Sequence, residues 1–124
     1  MRISVSSILL LSLGGFMIII GCNKFFAFIE IPNPPGDGGA LMQIYISSGF
    51  LKIVGLLEIF GGLGLVLNRF VPLSLIFITA IMFNATLFHL LHDPSGVGPA
   101  ACCLSLSLVA VYQNRGRFTE ILSA

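Results

Sequence analysis

The chain has 124 residues, of which 56% are hydrophobic and 9% charged, with a mean hydropathy of +1.05. Six basic and five acidic side chains cannot cover a water-soluble core of this size, so an ordinary soluble domain is excluded and lipid must solvate most side chains. Net charge is +1 and the basic residues stand singly or nearly so (Arg2, Lys24, Lys52, Arg69, Arg115, Arg117), which excludes a phosphate-tracking stripe and a nucleic-acid partner.

The expected fold is all-α: a four-transmembrane-helix bundle forming a single integral membrane domain over residues 1–124. The first predicted span covers 3–28. Its start, with Arg2, an apolar run and Ile19-Ile20-Gly21-Cys22, also resembles a secretory signal that would be cut and lipidated at Cys22. Cleavage would leave only three spans, so the run is read as a span. Ile31-Pro-Asn-Pro-Pro-Gly-Asp-Gly-Gly39 then reads as a loop. A second span is predicted over 41–67, a tight polar turn at Asn68-Arg69-Phe70-Val71-Pro72, and a third span over 71–91. His92-Asp93-Pro94-Ser95-Gly96 breaks the chain again before a fourth span over 97–113. A hydrocarbon core of roughly 30 Å needs about 20 helical residues, which the first three runs exceed and the fourth barely reaches.

The cations sort by end. Arg2, Arg69 and the Arg115/Arg117 tail alternate with loops whose fixed charges are acidic, Glu30/Asp37 and Asp93. The enrichment of basic residues in short cytoplasmic loops predicts both termini in the cytoplasm and a multi-pass protein whose first loop faces outward.

Ionisable groups inside a span cost about 2.5–3.5 kcal/mol each on insertion scales, so those that remain normally face the bundle or a wet cavity. Lys24, Lys52, Glu58, Asn84, His89 and His92 are therefore the candidate site residues. A rise of about 1.5 Å per residue puts Glu58 near mid-membrane, Lys52, Asn84 and His89 in the outer half, and Lys24 and His92 at the outer rim. That order predicts a polar column opening outward. Glycines mark where membrane helices approach, and Gly14/Gly21 in the first helix and Gly55/Gly62 in the second each form a line at about 100° per residue. Lys24 leans toward the first line. Glu58 and Lys52 flank the second on opposite sides, while Asn84, Phe88 and His92 share an arc of the third helix with His89 just beyond it.

Glu58 reads equally as a proton-active carboxyl and as a structural ion pair or hydrogen bond to Lys24, Lys52 or Asn84. His89 is assigned proton handling beside it, and Lys24, Lys52, Asn84 and His92 ligand binding; Lys24 also suits simple snorkelling to the headgroups. The His89/His92 spacing suits a metal, but no third and fourth ligands accompany it beyond Asp93, so no metal is expected. Cys22, Cys102 and Cys103 form no C-x-x-C and read as small apolar groups. The Phe25-Phe26-Ala27-Phe28 cluster gains meaning beyond lipid contact only with a flat ligand such as a quinone.

Gly21-Cys22-Asn23-Lys24 closing the first helix, Leu56-Leu57-Glu58-Ile59-Phe60-Gly61-Gly62 in the second, a proline-started third helix ending Phe88-His89, and a short fourth helix together resemble the DoxX-like family of small four-helix membrane proteins. The resemblance covers nearly the whole chain. It implies the bacterial cytoplasmic (inner) membrane and a part in redox physiology, since the family name comes from a thiosulfate-oxidising, quinone-reducing enzyme. It also implies Lys24, Glu58 and His89 as the site.

Three functions compete. The first is a redox-linked, quinone-associated membrane subunit. The chain has no haem, flavin or iron-sulfur motif of its own, so a redox partner protein would deliver electrons. The second is a non-catalytic scaffold or accessory subunit, as a homo-oligomer or on a partner, with the polar residues fixing the bundle. A small dimeric proton-coupled exporter ranks last, because small multidrug transporters carry their glutamate in the first helix and contain tryptophan, which this chain lacks.

Overall fold

A computed structural model describes residues 4–122, and every regular element in them is helical. Arg2 and Ile3, at the start of the first predicted span, lie outside the described residues. Helix α1 (Val5–Phe26) is opened by Ser4, whose hydroxyl accepts the Ser7 N–H at 3.1 Å. It ends at Ala27, in the left-handed region at φ 49°. Helix α2 (Gly36–Ser47) begins inside the expected Pro/Gly loop, directly after Pro35, so that loop is shorter than its composition predicts.

The second span is not one helix. A break at Ser48-Gly49 separates α2 from α3 (Phe50–Val66), and the two axes differ by 77°. Gly49 sits at φ 81°, where a glycine carries no penalty, and the Ser48 hydroxyl accepts the Phe50 N–H at 3.3 Å. Apolar continuity through Leu41–Leu67 hides this serine-glycine turn.

Helix α3 closes on Asn68 at φ 53°, with Asn68 N–H bonded to the Leu65 carbonyl at 3.2 Å and Arg69 N–H to the Gly64 carbonyl at 2.8 Å. This paired closure satisfies the last carbonyls and turns the chain sharply. Helix α4 (Val71–His92) follows, then a 3-10 turn (Pro94–Gly96), α5 (Val97–Gln113), a second 3-10 turn (Arg115–Phe118) and the short α6 (Thr119–Leu122). α1, α4 and the Pro94–Gln113 stretch are each long and apolar enough to cross a membrane, and the bent α2–α3 pair supplies the fourth candidate.

α1, α3, α4 and α5 close a ring, α1 against α3, α3 against α4, α4 against α5, and α5 back against α1. Their shared interior holds Leu13, Met17, Leu65, Leu75, Ile78 and Ala110. The outward faces are also apolar, with Ile8, Ile19, Phe60 and Phe83 all exposed, the pattern expected where lipid rather than water surrounds the bundle.

The closest helix approach is between α1 and α3, which run antiparallel: Gly14 lies over Gly62 and Gly21 over Gly55. A Cβ on Gly14 would stand 2.7 Å from the Gly62 carbonyl oxygen, and one on Gly21 2.7 Å from the Gly55 carbonyl oxygen. α3 also presents Gly61 and Gly64 to α4, where Ile78 and Ser74 fill the space. Gly14→Ala and Gly21→Ala are each expected to destabilise the protein by about 1–3 kcal/mol, because a backbone carbonyl cannot swing aside for a new methyl. Gly15→Ala, where a Cβ meets nothing within 4 Å, should leave stability unchanged or slightly raised. Unfolding titrations in mixed micelles measure this, and equal losses at Gly14 and Gly15 would contradict it.

Candidate functional site

The glycine contacts place the end of α1 on the middle of α3. Gly55 lacks the Cβ that would stand 3.2 Å from the Lys24 Cβ, and Gly21 lacks one that would meet the Glu58 Cβ at 3.1 Å. Through these gaps the Lys24 ammonium reaches the Glu58 carboxylate, with Nζ 2.6 Å from Oε2. Glu58 is 2% exposed, while the Lys24 side chain keeps 21% exposure. The carboxylate is thus enclosed and the ammonium forms its outer boundary. A charge in such a place is tolerated because its counter-charge arrives with a short hydrogen bond.

Lys24 is held in position by its neighbour. Asn23 is buried, and its side chain accepts the Ile29 N–H at 2.7 Å and donates to the Ile29 carbonyl at 3.1 Å, clamping the turn that leaves α1. In the sequence Asn23 figures only within the Gly21–Lys24 stretch and is assigned no role; an asparagine in the last turn of a helix, before a chain reversal, was the available signal.

The other predicted site residues do not gather around Glu58. Lys52 lies about 120° from Glu58 around α3, is exposed, and makes no ion pair among the described residues. Asn84 is exposed and donates to the Ala80 carbonyl of its own helix at 3.0 Å. The α4 face that packs inward carries Ser74, Leu75, Ile78 and Met82, and Asn84 is on the side opposite Leu75.

The histidines form a separate group at the end of α4. His89 Nδ1 lies 3.4 Å from the Asp93 Oδ2 and 3.3 Å from its carbonyl oxygen, and the ring packs edge-on against Phe88. Asp93 also accepts the Ser95 hydroxyl at 2.7 Å. Gly96 lies directly against the His89 ring, leaving no room for a larger residue. His92 stacks at a tilt on Phe88, and its backbone supports Gly38 at the start of α2. No hydrogen bond joins either histidine to Glu58 among the described residues. The expected continuous polar column is therefore two groups, the Lys24–Glu58 pair and the His89–Asp93 pair, both toward the end of the bundle where α1 and α4 finish.

Two of the surface cavities formed by the described residues have defined linings. One, of about 330 Å³, lies between α3 and α4 beside Arg69; the other, of about 580 Å³, is formed by Ala27, Ile29, Glu30, Ile31 and Pro32. Neither is lined by any of the six predicted site residues. No cluster of three metal-ligating side chains occurs among the described residues, and Cys22, Cys102 and Cys103 carry free thiols.

A family model described as DoxX matches residues 7–91, from the first turn of α1 to the last turn of α4. The chain belongs to the DoxX family. No curated protein and no solved structure matches it. The family match takes in both residues of the Lys24–Glu58 pair, the α1–α3 glycines and His89, and leaves α5 outside. This DoxX-family chain is a membrane protein whose central polar feature is a lysine–glutamate bond between helices.

Lys24→Met is expected to destabilise the protein by about 3 kcal/mol, because it leaves the Glu58 carboxylate enclosed without a cation. Lys24→Met combined with Glu58→Leu should recover most of that loss, since replacing both partners removes the buried charge. Denaturant midpoints in detergent measure both; a double variant no more stable than Lys24→Met would show that the two side chains are not energetically coupled.

Proposed function

We propose that this protein is a redox-linked, quinone-associated subunit of the cytoplasmic (inner) membrane, with four spans, both termini in the cytoplasm, and Lys24–Glu58 as its polar centre. The observation that carries this reading is the half-open geometry of the pair. Glu58 is enclosed behind Lys24, and Lys24 stays partly accessible, followed in sequence by exposed Phe25, Phe26 and Phe28. A flat ring seated on those phenylalanines would place a carbonyl oxygen within reach of the ammonium, which would stabilise negative charge developing on that oxygen. Glu58 would then exchange a proton through Lys24. On this reading His89, tied to Asp93, would exchange protons with the outer aqueous face, and it makes no hydrogen bond to the pair among the described residues. Electrons would come from a partner protein. The fixed charges support the orientation, since Arg69, Arg115 and Arg117 fall at the opposite end of the bundle from Glu30, Asp37 and Asp93.

A second reading, a non-catalytic accessory subunit, is favoured by a different observation: the carboxylate is buried in the α1–α3 interface with its Oε2 bonded to Lys24, and it lines neither of the two cavities described above. In that case the pair only locks the helices.

One experiment separates the two. Organic extracts of gently purified protein are analysed by mass spectrometry and by reduced-minus-oxidised ultraviolet spectra, beside Lys24→Met and Glu58→Gln variants. The quinone reading expects one quinone per protein or per oligomer, lost in both variants although they remain folded. Bulk lipid alone in all three samples, with a partner protein co-purifying, would replace it with the accessory reading.

A further inference from the structure

The groove between α3 and α4 runs from Leu57, next to Glu58 along α3, to the turn at Arg69 at the opposite end of the bundle from Lys24. Its walls are Leu57, Phe60, Leu63, Leu67, Leu73 and Phe77, and Gly61 and Gly64 keep the two helices close enough to form a floor. The span from Leu57 to Leu67 is about 15 Å along the helix, half the roughly 30 Å hydrocarbon thickness, so the groove is as long as one leaflet is deep. Nearly all of it is apolar.

The exception is its mouth. Arg69 lines the groove at the α3–α4 turn, and its side chain makes no hydrogen bond or ion pair among the described residues. The preceding residue, Asn68, accepts a hydrogen bond from Arg117 Nη1 at 2.7 Å, which brings a second guanidinium beside the same turn. That bond uses one of the five donors of Arg117. Arg69 therefore stands at the mouth, with Arg117 beside the same turn, where a lipid headgroup would sit if its acyl chain followed the groove.

We propose that this groove is a binding site for an anionic phospholipid, one acyl chain lying between α3 and α4 and the phosphate held by Arg69 and Arg117. The charge decides the occupant. A zwitterionic lipid also supplies an acyl chain and a phosphate, but brings its cationic choline beside the two guanidiniums; an anionic headgroup brings the phosphate charge without that added cation. Each arginine near a membrane surface favours an anionic lipid, and basic pockets between spanning helices suit such headgroups. Guanidinium binds phosphate through paired hydrogen bonds, which fixes the lipid in one orientation. A free phosphate ion would gain nothing from the apolar walls. The proposal rests on the membrane placement of the chain and is independent of the quinone reading, because it uses neither Lys24 nor Glu58 and its headgroup site is at Arg69.

Native mass spectrometry of the full chain, stripped of lipid in detergent, tests it with phosphatidylglycerol and phosphatidylcholine of identical acyl chains. One tightly held phosphatidylglycerol per chain is expected, preferred over phosphatidylcholine by about tenfold or more. Arg69→Gln with Arg117→Gln should abolish the preference while leaving weak binding of both lipids. Leu73→Trp, which fills the groove from an exposed position, should weaken retention of phosphatidylglycerol with both arginines present. Inorganic phosphate at the same concentration should not displace the lipid. Equal retention of the two lipids by the unaltered chain would overturn the proposal without any variant. So would a preference that survives the double arginine substitution, or displacement by inorganic phosphate.

Discussion

The approach of α1 to α3 is the constraint on which the rest of the structure depends. Helices in lipid gain nothing from hiding apolar surface, since the acyl chains are as apolar as leucine, so they hold together through dispersion at close range and through hydrogen bonds. Gly14, Gly21, Gly55 and Gly62 provide the close range, with the backbone of one helix lying where a Cβ of the other would be. Glu58 stands between Gly55 and Gly62 and is carried into that contact. An isolated carboxylate there would be too costly to keep charged, and Lys24 is the cation that the glycine register brings beside it. Packing and ion pair thus reinforce each other. Backbone proximity makes the 2.6 Å bond reachable, and the bond fixes the register of the two helices.

The two ends of the bundle differ in chemistry as a consequence of how each chain reversal is built. At one end the Asn23 clamp, the Ser48-Gly49 break and the Asp93–Ser95 turn keep α2 and the ends of α1 and α4 together, bringing acidic groups and histidines to that face. At the other end, a left-handed Asn68 closes α3, and its side chain binds Arg117 from the tail. The same turn thus stops a helix, anchors the C-terminal segment through Phe118 and Asn68, and collects positive charge. None of this needs a soluble domain; polar side chains at turns do the work.

Much of this was legible in the sequence because composition and turn residues are one-dimensional signals. The predicted fourth span, 97–113, has the same limits as α5, and the third differs from α4 by one residue at its end. The glycine lines at a spacing of seven pointed to the α1–α3 face, and Lys24 was among the three partners considered for Glu58. Azimuth around α4 was not legible. Asn84, Phe88 and His92 were placed on an inward arc, but Gly61 and Gly64 of α3 receive Ile78 and Ser74, and that choice turns Asn84 outward. His89 follows Asp93 because the turn after α4 brings the carboxylate back over the ring, an event local to the turn and invisible to a helical wheel. The 77° break was missed for a simpler reason: hydropathy averages over Ser47-Ser48-Gly49, whereas a left-handed glycine acts at one residue.

These placements restrict how any chemistry at the centre can proceed. Among the described residues Glu58 makes no hydrogen bond to either histidine and its bonded polar partner is Lys24, the more exposed of the two, so the direct route for a proton to the carboxylate passes Lys24. Neutralising the carboxylate removes the charge that holds the ammonium at 2.6 Å, and the Lys24 side chain is already partly exposed. Lys24 is then free to bond an acceptor at the rim, and releasing that acceptor restores the pair. Under the quinone reading, proton uptake by Glu58 and engagement of the ligand by Lys24 are two halves of a single exchange. Under the accessory reading the same protonation merely loosens α1 from α3. The glycine contacts decide how far that loosening can go, because they hold the backbones together whether or not the side chains are paired.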